Sequence, residues 1–158
     1  MSKFGVSFGG FATTTSILTA LKLVTVARVP VEIVEVAGFG AGTVAPADIQ
    51  HEMTLAAVSA AGAGTGAASP PTPEPMGMNK IDAASSSFLW KMTAEPTTYA
   101  TVFPVLISFN QRGGMRWAVP QGEGVKVNNA NTEKGCGMKV ISSAVGTVDG
   151  YMHFWEDN

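Results

Sequence analysis

The chain is short of charge. Asp, Glu, Lys and Arg make up 14% of its 158 residues, against roughly 25% in an ordinary soluble domain. So little charge does not keep a whole surface wet, and part of the exterior is expected to lie against other protein. Arginine is scarcer still, at three residues, Arg28, Arg112 and Arg116. With a formal net charge of −2, the chain lacks the clustered cations that nucleic-acid binding needs to displace counterions. One cysteine, Cys136, excludes an intrachain disulfide. Two histidines, His51 and His153, fall short of a zinc site even with that sulfur. Gly9, Gly10, the stretch 13–16 and Lys22 interrupt the opening apolar run. It never approaches the ~18 residues of a membrane span, and neither a span nor a cleaved signal peptide is expected.

What is present points to strands. Eighteen glycines and nine prolines, with many Thr and Val, oppose long helices for steric and entropic reasons. Short apolar runs separated by turn residues predict one all-β domain over 1–158, an antiparallel β-sandwich that is jelly-roll-like with long irregular loops. Phe4, Val6 and Phe8 alternate with Gly5 and Ser7 in an N-terminal arm of about residues 1–16. Within 17–29, ILTAL (17–21) admits a helical turn while KLVTVARV (22–29) reads better as strand, and further strands are expected over 31–36 and over 49–58. In the last of these, Ile49, His51, Met53, Leu55 and Ala57 share one face and Gln50, Glu52, Thr54 and Ala56 the other. Residues 59–79 are small or proline and predict an irregular, partly polyproline-like loop. Strands follow over 81–84, 87–92, 99–109, 115–119, 125–127, 138–143 and 147–155. The segment 99–109 reads as central, with Pro104 marking a bulge or an edge. In the final strand Val148, Gly150, Met152 and Phe154 face inward, leaving Asp149, Tyr151, His153 and Trp155 outward.

No enzyme constellation emerges. Gly38–Gly42 follows a strand, but its spacing is wrong for a dinucleotide turn and no amphipathic helix opens after it. Cys136, between two glycines, has no adjacent base to make a thiolate. Glu32 and Glu35 have opposite parity on one strand and are not expected to face one site. Asp149, Glu156 and Asp157 lack the ligand loop of a calcium site, and no G-x-S-x-G elbow occurs. The expectation is no cofactor, no metal and no catalytic residue, with each histidine half-buried. Three features suit interaction instead. They are the aromatic arm (Phe4, Phe8, Phe11), the proline and methionine loop (Pro71, Pro73, Met76, Met78), and the Tyr151, His153, Trp155 face with Arg112 and Arg116 as candidate neighbours. Aromatic residues and Arg are enriched at interface hot spots, and methionine adapts to a partner's shape.

The segments SFNQRGGMRWAVPQGEGVKV (108–127), GCGMKVISSA (135–144) and MHFWED (152–157), behind a Thr/Ala/Gly-rich N-terminal half, resemble the small head proteins of tailed bacteriophages, specifically capsid decoration or cement proteins. The resemblance covers roughly the C-terminal third. It implies a sandwich or jelly roll that assembles as a dimer or trimer with itself and docks on the major capsid protein at the outer virion surface, without nucleic acid or membrane as partner. The rival expectation is a receptor- or glycan-binding module of a tail or fibre, using Tyr151 and Trp155 as stacking platforms with Asp149 as polar partner. An enzyme working through Cys136 is the third.

Overall fold

The computed structural model describes residues 1–42, 48–58, 65–77, 83–93, 95, 104–127 and 135–157. Eleven strands run in chain order among them: β1 (Ser2–Thr13), β2 (Leu18–Val24), β3 (Val31–Gly40), β4 (Gln50–Val58), β5 (Glu74–Pro75), β6 (Ser87–Trp90), β7 (Val105–Asn110), β8 (Gly114–Ala118), β9 (Val125–Val127), β10 (Gly135–Ser142) and β11 (Gly146–Glu156). They form two antiparallel sheets packed as a sandwich. Sheet A has the order β5-β1-β11-β3-β8, with β9 also on β3, and sheet B the order β6-β2-β10-β4-β7. The pairing is nested: β1 with β11, β2 with β10, β3 with β8 and β4 with β7. A long hairpin wound upon itself gives that order. No helix among the described residues is long and apolar enough to cross a membrane.

Period-two alternation decides which side chains meet between the sheets. On β11, Val148, Gly150, Met152 and Phe154 are buried while Asp149, Tyr151, His153 and Trp155 stay half-exposed, as their spacing predicts. On β4 the alternation holds from Gln50 to Met53, then fails. Thr54 and Ala56 are buried as well, and Ala57 is the exposed residue; Thr54 shares its row with Lys139 and Thr19, where Glu95 lies over the sheet and accepts from Thr19.

Three expectations need correction. The aromatic arm is not an arm: residues 2–13 form β1, held between β11 and β5. Phe4, Phe8 and Phe11 are 0%, 4% and 4% exposed, so none offers itself to a partner. Phe4 stacks on Phe154 at 5.6 Å between centroids. A register shift between Phe8 and Phe11 turns both rings inward despite their odd spacing, and they meet edge to face at 6.3 Å. Secondly, β7 ends sheet B instead of running through its middle. Its described residues alternate, with Val105, Ile107 and Phe109 buried and Leu106 and Ser108 exposed, as an edge strand with one wet face should. Residues 99–103 of that expected strand lie outside the described residues. Thirdly, the stretch 65–77 of the expected loop lies along the sandwich and contributes β5.

Candidate interaction face

The outward face of sheet A assembles from register. Ser7, Tyr151, Ala37 and Arg116 form one row across β1, β11, β3 and β8, and Gly5, His153, Glu35 and Ala118 form the next. Lys3, Trp155, Glu32 and Lys126 form a third. Glu32 and Glu35 therefore share a face, against the parity argument. Pairing with β11 slips between His153–Glu35 and Phe154–Ile33, and the extra residue, Val34, restores the phase. A bulge of this kind re-aims every side chain beyond it.

Glu35 is the hub of the face. The Tyr151 hydroxyl donates to its Oε1 at 2.7 Å, His153 Nδ1 lies 3.1 Å from its Oε2 and Arg116 Nε 3.1 Å from its Oε1. Burial pushes the carboxyl toward protonation, but the Tyr151 and His153 hydrogen bonds, with the charges of His153 and Arg116, outweigh it and hold its pKa below the usual range. Tyr151 shifts the other way: burial first, then its bond to the Glu35 carboxylate, raise the phenol. The rings line up along the face. Tyr151 stacks on His153 at 4.6 Å, and Phe39 stands 6.1 Å from Tyr151 on the other side. With a ring at each side and its hydroxyl tied to Glu35, Tyr151 is a poor stacking platform for a sugar.

Beside this row lies a groove of about 300 Å³, lined by Gly5, Ser7, Pro71, Glu74, Met76 and His153 among others. Gly5 leaves little spare room there: a Cβ on it would meet the His153 ring and the Met76 sulfur at 3.1 Å each, so both would have to shift slightly. The structure thus brings Pro71, Met76, Tyr151, His153 and Arg116 around one region. Pro73 is half-buried near it, and Trp155 sits one row further along. Arg112 stands apart on the β7–β8 turn, 3.3 Å from Asp48 with both side chains exposed. Met78 lies outside the described residues. Phe39 and Lys3 are not among the expected site residues, and parity sets Glu35 aside. Phe39 looked like part of a glycine turn, and only the bulge, which has no sequence signature here, reveals where Glu35 points.

A second polar cluster lies at the opposite flank. His51, expected half-buried, is fully buried. Gln111 Nε2 donates to the carbonyls of Ala41 at 2.7 Å and Thr147 at 3.2 Å, which fixes the amide so that Oε1 faces His51 Nε2 and accepts from it. Nδ1 is then the acceptor for the Ser142 hydroxyl at 2.6 Å. The order resembles a nucleophile, base and orienting group. However, the backbone N–H of Ser142 is spent on Thr14 and that of Ser143 on Gln50, so neither adjacent amide is free to stabilise an oxyanion. The cluster works as a latch. Gln111 N also bonds Ile49 O at 2.8 Å, and Gly40 N bonds Gly113 O at 2.9 Å, so the β7–β8 turn is tied to β3, β4 and β11.

Other candidates resolve into structure. Cys136 is buried in the middle of sheet B, and burial pushes its thiol up to about 12 despite an opposing bond with the Ala56 backbone; at neutral pH it is not a thiolate nucleophile. Glu156 is buried and accepts from the Ser85 and Ser86 amides at 2.8 and 3.2 Å. Asp149 accepts from Gly10 N at 2.7 Å. Among the described residues no three His, Cys, Asp or Glu side chains gather as a metal site would require.

Comparison with protein-family models, with curated proteins and with solved structures gives no match.

Proposed function

We propose that the protein is a non-enzymatic structural component of a tailed-phage virion, a decoration or cement protein that self-associates as a dimer or trimer and bridges major capsid subunits on the outer shell. The observation that carries this reading is apolar surface on a charge-poor sandwich. Met115 is 47% exposed, Met76 44% and Phe39 41% on strands or flanking chain of sheet A, and Leu106 is 56% exposed on the edge strand of sheet B. Side chains of this kind gain from being covered by protein. The nested strand order supports the jelly-roll reading of the sandwich, and jelly rolls recur in viral shells. The resemblance of the segments 108–127, 135–144 and 152–157 to decoration proteins adds to it.

The mechanism is mechanical. Each copy touches neighbouring capsid subunits through small interfaces, and once one contact has formed the next is intramolecular, so modest affinities multiply. Internal pressure must then break those bridges as well as the shell's own contacts. The test compares the temperature of DNA release from shells with and without the protein. A higher release temperature with it supports the reading, and equal temperatures remove it.

A glycan-binding role is the second reading, favoured by the groove where Ser7, Thr72 and Glu74 stand beside His153. Concave sites with a few convergent polar groups are the usual ligand geometry. It places the sugar in that groove, not on Tyr151. Glycan binding by the isolated protein without capsid affinity would favour it.

A further inference from the structure

The proline-rich segment has a geometry that neither reading uses. Residues 65–76 run down one flank of the sandwich and touch the end strand of each sheet in turn. At sheet B, Ala67 N donates to Trp90 O at 2.9 Å, Thr93 N donates to Thr65 O at 2.7 Å and Trp90 Nε1 donates to Ala68 O at 3.3 Å, alongside β6. Ser69, at φ 55°, then takes the left-handed turn that few non-glycine residues adopt, and the chain crosses to sheet A. There Glu74 and Pro75 pair with Gly5 and Phe4, and Met76 N donates to Lys3 O at 2.8 Å.

Three of the four prolines fall on one parity, and Pro70, before the extended stretch, on the other. Pro71, Pro73 and Pro75 are half-buried, whereas Thr72, Glu74 and Met76 are exposed, the period-two signature of extended chain. In extended chain, successive N–H groups also point to opposite edges. Met76 turns its N–H toward β1, so Thr72 and Glu74, of the same parity, do likewise. Positions 71, 73 and 75 would direct theirs away from β1, to the side on which no strand among the described residues pairs and where a newcomer would add. Proline has no N–H to offer there. The segment keeps the donors that face β1 and lacks those that would face a newcomer.

We propose that residues 65–76 are an edge seal: they cap the Trp90 end of β6 and occupy the Lys3–Gly5 edge of β1, and Pro71, Pro73 and Pro75 make the new outer edge at β1 unable to pair with the strand of a second copy. Unprotected edges are templates for edge-to-edge association, and proline is one way natural sheets blunt them. The seal confines assembly contacts to other surfaces.

The test restores the missing donors. In the full chain, Pro71→Thr, Pro73→Thr and Pro75→Thr are combined and light scattering is followed across a concentration series. The seal predicts an apparent mass rising with concentration to about twice the native value or more, and an intermolecular disulfide when Thr72→Cys is added to the triple variant but not when it is added to the native sequence. Pro70→Thr is the parity control, because position 70 turns its N–H the other way, and it should leave the mass unchanged. A triple variant with a native circular-dichroism spectrum and the native mass at every concentration overturns the proposal. Should the triple variant fail to fold, Pro73→Thr alone decides. Concentration-dependent mass supports the seal; native mass, or equal association from Pro70→Thr, overturns it.

Discussion

The two flanks of the sandwich close in different ways. At the β6 and β1 flank, chain 65–76 lies over the sheet edges and is held by main-chain hydrogen bonds. At the β7 and β8 flank, no further strand pairs with either edge among the described residues. Leu106 and Met115 are exposed there, and cohesion comes from the buried side chains of His51, Gln111 and Ser142. The first flank presents prolines, which have no N–H to donate, at its outer edge; the second keeps its donors. A molecule with one blunted flank and one open flank has a direction for assembly, which is what the proposed attachment to a shell would use.

The comparison breaks most directly at Gly40. A Cβ there would lie 1.7 Å from the Gln111 carbonyl oxygen, so Gly40→Ala should force the latched turn away and destabilise by roughly 3 kcal/mol or more, read from urea unfolding. A loss under about 1 kcal/mol would mean that the turn is not fixed. Gln111→Leu removes the partners of His51 Nε2 and of the Ala41 carbonyl, while Thr147 O keeps its bond from Ala41 N, and is expected to lower stability by about 2–3 kcal/mol. Little loss would show that the open flank does not depend on this network.

Glu35→Gln probes the face between the flanks. Its folded-state pKa is depressed, so its contribution is complete above the ordinary carboxylate range and fades as pH falls through the lowered value. The variant should lose about 1–2 kcal/mol at neutral pH, and native and variant stabilities should converge in acid. Parallel curves would remove Glu35 as the hub. Leu106→Lys with Met115→Lys should change stability by no more than about 0.5 kcal/mol each while weakening attachment to shells in a pelleting assay; unchanged attachment would move the docking surface elsewhere. Arg112→Ala breaks only an exposed pair with Asp48 and should alter stability by less than about 0.5 kcal/mol.

Much of the sandwich is legible in the sequence because alternation is local. The inward set on β11 and the strands at 31–36 and 125–127 follow from period two and turn residues alone. The errors share a cause. Phe4, Phe8 and Phe11 read as an arm because nothing local says that β11 will pair along their whole length. Tyr99–Phe109 reads as central because apolar content does not report how many neighbours a strand has. Glu32 and Glu35 read as opposed because the bulge at Val34 depends on the partner strand. The Gln111–His51 contact joins residues 60 positions apart, beyond any pattern of spacing. The proline stretch was visible as a feature, yet its meaning needed the direction of a single amide, that of Met76.

Cys136 gives this molecule a built-in clock. Its side chain is buried in the core between the sheets, on the middle strand of sheet B, so a thiol reagent reaches it only when the sandwich opens. The labelling rate of the native chain therefore counts openings of the sandwich, and slower labelling on a shell than in free solution would measure how firmly the shell holds it shut.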